Sequence, residues 1–518
     1  MPVCPFESSS NSSSNERSPL LENQLSIGSS NIRPTCGLIF STLLTCFGIC
    51  IPLGFGTVVI NLPSQVFQHF VNQSYFSQTD THLNTAELKA LWSFIVASYM
   101  LGALIGCLFV SGLAERIGRK WALVLCSVIS ISGCSLGSLS FFLNSFQLFA
   151  IGRTVSGFSG GFGGTLLSVY LSEISPVHLR GCFSSFLEIF VCVGNLFSQV
   201  MSLPSILGSE TLWPYLLSVP CLSSLLLLSF LPFLPETPKF IHSKMGTQEP
   251  GTSLISSIKF YHGSQAPLSL TVRQFDSELE MVQPSWAEIV KSAIFWKCVT
   301  MVVVVRSAHI LTGFTLLKYY SAEIVTNLNF GFTVALYSSI GFTLLNVIIT
   351  SLAVFLVEPI GRRPLLVYGL LGTLVCLVVF IIAGVIVDYN PEAKWASWLC
   401  LLILYVHMFI FSVGPGSVAW LIVPELTPQN IRAPVTSVGT FVTWAANLAV
   451  TAAFLPLTNA CGNFSFLLLI LPLAPLTGYL FLKLPETRNR PVDLIVREMM
   501  MSRRGDERVT NDDAMSLS

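Results

Sequence analysis

Apolar runs long enough to cross the ~30 Å hydrocarbon core of a bilayer recur along almost the whole of this 518-residue chain. Charge content agrees with that reading: 10% of the residues are charged, against about 25% in a soluble protein. The chain reads as an all-α polytopic membrane protein. Hydropathy places twelve spans near 36–60, 89–110, 121–143, 147–171, 181–202, 213–233, 293–320, 332–357, 364–387, 396–422, 433–457 and 464–482. Twelve spans put both termini on one side. With that side in the cytosol, only Lys89 and Lys394 of the 27 Lys and Arg residues fall outside, with Arg153, Arg306 and Lys318 inside spans. This is the bias that orients membrane proteins. The sequons Asn72-Gln-Ser and Asn463-Phe-Ser then both face outward as glycosylation candidates. Of the 14 Cys, all but Cys461 lie in spans, at span ends or in the amino-terminal tail, so no disulfide framework is expected.

The chain is also a duplication. Leu113-Ala-Glu-Arg-Ile-Gly-Arg-Lys120, between two apolar runs, returns as Leu356-Val-Glu-Pro-Ile-Gly-Arg-Arg363. Glu173-Ile-Ser-Pro-x-x-Leu-Arg-Gly181 is echoed by Glu425-Leu-Thr-Pro-x-x-Ile-Arg-Ala433, and Leu234-Pro-Glu-Thr237 by Leu484-Pro-Glu-Thr487. Three echoes in the same order imply two related units: spans 1–6 over 36–233 and spans 7–12 over 293–482, joined by a cytosolic linker at 234–292. The linker carries amphipathic patches, Ile255 to Tyr261 and Phe275 to Val282, suited to surface helices. Residues 1–35 are Ser- and Asn-rich and read as a disordered cytosolic tail without a cleavable signal peptide; 483–518 form a second tail. Glu16-Arg-Ser-Pro-Leu20-Leu21 fits an acidic dileucine sorting signal, of the kind endocytic adaptors read.

Each Glu/Arg signature sits where helices leave the cytosolic face. Glu115, Arg116, Arg119 and Lys120 can pair with Glu173 and Arg180, and Glu358, Arg362 and Arg363 with Glu425 and Arg432. Glycines at 118 and 361 permit the tight turn of a two-span hairpin. Ion pairs that tie helix ends together and break when bundles rock suit a gate. Taken singly, such charges would only orient loops.

These signatures, with Pro235-Glu-Thr-Pro238 and Val413-Gly-Pro-Gly416, resemble the sugar-porter branch of the major facilitator superfamily, and most of all the animal facilitative glucose/fructose transporters. The resemblance covers roughly residues 36–495. It implies two six-helix bundles, a central site, and alternating access without a cofactor.

A hexose needs hydrogen-bonding groups that face a cavity, and polar side chains inside a span suggest function by default. Span 5 offers Glu188, Cys192, Asn195 and Gln199 along one helical face. Span 7 offers Arg306, His309 and Gly313, then Thr315; span 8 offers Asn346; span 10 breaks at Gly414-Pro-Gly416 and presents Trp420; span 11 presents Trp444 and Asn447. Taken one at a time, each serves as well for helix–helix hydrogen bonding. In the resembled family, the positions of Asn346, Trp420, Trp444 and Asn447 line the sugar site. This chain departs from that pattern at Glu188, where the family has Gln, at His309-Ile-Leu-Thr-Gly313, where it has Gln-Gln-Leu-Ser-Gly, at Thr315 for Asn, and at Ser412 for an acid. Glu188 and Arg306 can form a structural ion pair; Glu188 can instead bind hydroxyls, or Glu188 and His309 can titrate and couple transport to protons. Three readings stand: a hexose uniporter, a same-fold carrier of a charged solute such as urate, and a sugar sensor. The partners expected are a small solute and the lipid bilayer. No nucleic-acid partner is expected, and no nucleophile–base set, metal cluster or phosphate loop marks an enzyme.

Overall fold

The computed structural model describes residues 34–501 except 177–178, 246–250, 264–267, 269–271, 273–274, 276–285, 391, 429–430, 489 and 491. The sorting motif at Glu16, Leu20 and Leu21 and the last residues of the carboxyl tail lie outside the described residues. Every regular element among the described residues is helical. Lipid offers no hydrogen bonds, so a spanning backbone must satisfy its own polar groups.

The first bundle contains α1 (Cys36–Val58), α2 (Ser64–Thr79), α3 (Thr85–Ile117), α4 (Arg119–Phe142), α5 (Phe146–Ile174), α6 (Arg180–Met201) and α7 (Trp213–Phe230). In the linker lie α8 (Pro238–Met245), α9 (Thr252–His262) and α10 (Trp286–Lys291). The second bundle contains α11 (Ala293–Leu311), α12 (Phe314–Asn327), α13 (Phe332–Ile360), α14 (Arg362–Tyr389), α15 (Lys394–Val413), α16 (Pro415–Glu425), α17 (Arg432–Cys461) and α18 (Leu467–Lys483), followed by α19 (Val492–Met501). Eleven stretches among the described residues are long and apolar enough to cross a membrane. The twelfth expected span is α5, a 29-residue helix whose many Gly and Ser residues dilute its hydropathy.

Three features depart from the expected spans. Span 7 does not end near 320: it runs on to Asn327 as two helices, α11 and α12, broken at Thr312-Gly313 with Gly313 at φ +86°. The break strands the Thr312 carbonyl, and His407 Nε2 donates to it at 2.8 Å; a carbonyl only accepts, which fixes the proton on Nε2. Span 10 breaks at Gly414, where Pro415 opens α16 without an N–H to strand. Between spans 1 and 2 stands α2, a helix that hydropathy did not indicate; its Phe67 and Phe70 sit in an aromatic cluster with Phe149 and Trp213. The repeated signature itself is the last turn of α3 and the first of α4, hinged on Gly118 at φ +93°, and it is copied at Gly361, φ +103°, between α13 and α14.

The bundles meet along α3 against α17 and α6 against α13. At the end opposite the chain termini, Asn61 Nδ2 donates to Ser321 Oγ (2.7 Å), Ser321 Oγ to Ser339 Oγ (2.7 Å), and Ser93 Oγ to the Ala452 carbonyl (2.9 Å). That end is closed. At the terminal end the linker holds to the first bundle: Thr35 Oγ1 donates to the Tyr261 carbonyl (2.9 Å), and the Tyr170 and Tyr261 hydroxyls lie 3.1 Å apart. Helix α19 rests on the second bundle, where Lys297 Nζ donates to the Met499 carbonyl (3.0 Å).

Helices α3 and α5 approach until backbone touches backbone. A Cβ on Gly161 would collide with the Ala103 carbonyl, and one on Gly102 with the Thr154 carbonyl. Overpacking of this kind costs about 1–3 kcal/mol or more. Gly161→Val is therefore expected to lower the thermal unfolding temperature in detergent, whereas Gly181→Ala, with no atom within 4 Å of its added Cβ, leaves it in place.

Candidate functional site

Two matched charge clusters close the terminal ends of the bundles. In the first, Arg119 Nη2 meets Glu173 Oε1 at 2.8 Å, and Thr237 Oγ1 donates to Glu173 Oε2 at 2.7 Å. Glu236 accepts the backbone N–H groups of Arg119 (3.2 Å) and Lys120 (3.1 Å), capping α4, while Lys120 Nζ reaches the Leu234 carbonyl at 2.8 Å. The second repeats the plan. Arg362 meets Glu425 at 3.2 Å, Thr487 Oγ1 donates to Glu425, and Glu486 accepts from the backbone N–H groups of Arg362 (3.0 Å) and Arg363 (3.2 Å). A carboxylate at a helix start answers both the unbonded N–H groups and the positive end of the dipole. Burial pushes the Glu236 carboxyl up, against the pull of the Thr237 and Lys120 N–H groups.

The partners differ in part from those expected. Glu115 and Arg116 are exposed and make no ion pair among the described residues. Their counterpart Glu358 does pair, with Arg362 at 2.8 Å, and the bond from Arg362 holds the Glu358 carboxyl below its usual range. Arg363 turns to the Phe481 carbonyl (3.0 Å) rather than to Glu425. Arg180 Nε donates to the Ser175 carbonyl (3.3 Å) and Arg432 Nη2 to the Thr427 carbonyl (3.4 Å), each tying a helix start to the segment before it. Among the described residues, the ion pairs Arg119–Glu173, Arg362–Glu358 and Arg362–Glu425 each lie within one bundle, because these residues belong to the same repeat. Glu236, Thr237, Glu486 and Thr487 were read from sequence only as parts of the repeated Leu-Pro-Glu-Thr, and were given no place among the ion-pair partners.

The polar residues of spans 5, 7, 8, 10 and 11 meet in pairs. On α6, Glu188 is half-buried and takes a contact from Cys192 Sγ at 3.8 Å. Asn195 lies against α1 and faces Lys318 Nζ at 3.2 Å across the bundle interface; with its amide oxygen turned to Lys318, its nitrogen donates to the Gly54 carbonyl (2.9 Å) and Thr57 Oγ1 (3.1 Å). Thr315 Oγ1 donates to Asn447 Oδ1 (2.8 Å), linking α12 to α17. Asn346 Nδ2 donates to Ser412 Oγ (2.8 Å), linking α13 to α15. His309 lies 5.3 Å, centroid to centroid, from Phe411, which stacks on Phe314 at 4.0 Å. Trp444 packs against the apolar clusters of both bundles, and Trp420 is 37% exposed although its helix is interior.

Glu188 and Arg306 are not an ion pair. Arg306 stays with its own bundle, its guanidinium 3.7 Å from the centroid of the Trp420 ring, a cation–π contact. Lys318, whose Nζ also sits 4.6 Å from the Phe314 ring, is the cation that bridges. Sequence reasoning left it outside the site although a charge inside a span was the available signal. Buried polar atoms without a partner among the described residues include Gln199 Oε1, Arg306 Nε and Nη1, His309 Nδ1 and Asn346 Oδ1. An unmade buried hydrogen bond costs about 1–3 kcal/mol.

Two six-helix bundles with polar residues meeting across their spans define a carrier of the major facilitator fold. The sequence profile of the family described as Sugar (and other) transporter matches residues 41–499, and the chain belongs to that family. Among curated proteins it is similar to facilitated glucose transporter member 1 of solute carrier family 2 from Gallus gallus, 27% identical over 464 residues, covering 90% of this chain and 94% of that protein. Member 4 from Homo sapiens is 28% identical over 447 residues, covering 85% and 87%. The inward open xylose transporter XylE from E. coli shares the fold, with a TM-score of 0.71 at 20% identity over 89% of this chain and 99% of that one.

The Arg119–Glu173 pair is nearly closed to solvent, at 14% and 7% side-chain exposure. Removing one member of a buried pair costs about 3 kcal/mol or more. Arg119→Ala should lower the unfolding temperature in detergent further than the double change Arg119→Ala, Glu173→Ala, which leaves no charge stranded.

Proposed function

We propose that the chain carries a hexose across the membrane by alternating-access facilitated diffusion. The observation that supports this reading is the set of unpartnered polar atoms on α6, α11 and α13, with Arg306 against the Trp420 ring, inside a chain of the sugar transporter family. Facing hydrogen-bond groups take sugar hydroxyls, and an indole face takes the ring C–H groups. The solute-binding residues are Glu188, Asn195, His309, Thr315, Asn346, Trp420, Trp444 and Asn447. The units over 36–233 and 293–482 rock about the bundle interface, with 234–292 as a cytosolic linker and both termini in the cytosol. The intrabundle charge clusters keep each unit rigid, so that closure and opening fall on bonds such as Asn61 to Ser321 and Asn195 to Lys318. The protein resides in the plasma membrane, and an endocytic adaptor at Glu16, Leu20 and Leu21 returns it to endosomes.

Asn72 and Asn463 then face outward but differ chemically. Asn463 Nδ2 already donates to Asp388 at 2.9 Å. Asn72 accepts from the Leu83 N–H at 3.2 Å through its oxygen, and its Nδ2, the atom a glycan is attached to, has no partner among the described residues.

Uptake of labelled D-glucose into proteoliposomes tests the transport reading. Asn447→Ala, which removes a group shared with Thr315, should raise KM about tenfold, the scale of one good hydrogen bond; no saturable uptake by the unaltered protein would end the reading. In cells, Asn72→Gln should abolish the mobility shift on glycosidase treatment, and Asn463→Gln should leave it.

A further inference from the structure

Charge at the centre of this carrier does not balance. Arg306 and Lys318 bring two cations to span 7, and Glu188 on α6 brings one carboxylate. Lys318 is accounted for. Its Nζ meets the Asn195 side-chain amide at 3.2 Å, whose oxygen turned toward it accepts, and lies over Phe314.

Arg306 is different. It is 2% exposed, and no acceptor meets its Nε or Nη1 among the described residues. Trp420 covers the face of the guanidinium at 3.7 Å, which leaves the N–H groups in the guanidinium plane without a partner. Arg153, the other buried guanidinium of the spans, is met in part: its Nη1 donates to the Gly56 carbonyl at 2.5 Å, while its Nε and Nη2 have no partner among the described residues. A buried charge with open donors is strongly unfavourable unless something completes it. The donors of a guanidinium match the two oxygens of a carboxylate, and one carboxylate would bring the central charge to zero.

We propose that the solute is a hexose bearing a carboxylate, of the hexuronate type, with its carboxylate on Arg306 and Lys318 and its hydroxyls on Asn346, Thr315 and Asn447. The inference rests on the sugar-carrier reading and narrows it. Trp420 holds the guanidinium edge-on to the arriving anion, and Lys318 supplies the second positive charge from α12, the other half of the same broken span. Glu188, facing Lys318, keeps the cavity from trapping the anion, since release needs a competing negative charge.

The test is uptake of labelled D-glucuronate and D-glucose into proteoliposomes, together with the thermal shift each sugar gives the purified full chain. Saturable glucuronate uptake that competes with glucose is expected. Arg306→Gln should lower the glucuronate-to-glucose uptake ratio at least about tenfold, the scale of a charge-assisted hydrogen-bond pair, and erase the extra thermal shift that glucuronate gives. Arg306→Lys should keep more of both. If Arg306→Gln does not fold, Lys318→Met is read by the same ratio. Glucose uptake that excess glucuronate leaves untouched overturns the inference and spares the sugar-carrier reading, as does a ratio that neither substitution moves. A protein that takes up neither sugar overturns both.

Discussion

Hydrocarbon cannot hydrogen-bond a peptide group, and most of this structure follows from that. Spanning segments must be helices, and helical continuity can lapse only where protein groups replace the lost bonds. Both lapses obey the rule. At Thr312-Gly313 the freed carbonyl is met by His407 Nε2, and at Gly414 the following Pro415 has no N–H to leave open. The two breaks lie on neighbouring helices of the second bundle, beside the polar residues of α11 and α12. The same condition explains the ends of the helices: Glu236 and Glu486 each take the first N–H groups of a helix that starts at the membrane boundary.

Close helix approach then decides what can move. Without a hydrophobic force between helices in lipid, packing and short polar contacts hold a bundle together. The glycine contacts between α3 and α5 place backbone on backbone, and the clusters at Arg119 and Arg362 tie three or more segments of one repeat. Between bundles the bonds are fewer and are made by single side chains, such as Asn61 and Ser93. Each bundle is built to stay whole while the seam between them opens.

At that seam the sugar pattern has been rewritten in charge. Where the resembled family presents amides, this chain presents Glu188 and His309, and its span 7 carries Arg306 and Lys318. The amides that remain, Asn346 and Asn447, are anchored to Ser412 and Thr315 within the second bundle. A neutral sugar would use those anchored groups and leave Arg306 unanswered; an acidic sugar answers all of them.

The helical architecture, the duplication and the identity of the polar residues could be read from the chain alone. Hydropathy period, small-residue runs and repeated signatures are local properties, and each is written in consecutive residues. Helix α2 and the extension of span 7 to Asn327 were not legible, because a polar surface helix and a glycine break look alike in hydropathy. Nor were the partners. Sequence placed Glu188, Arg306 and Lys318 in facing spans, but only the tertiary structure set Arg306 on Trp420 and Lys318 on Asn195. A charge inside a membrane must find a partner somewhere; which partner it finds depends on how far the two bundles stand apart, and that distance is a property of the packed whole.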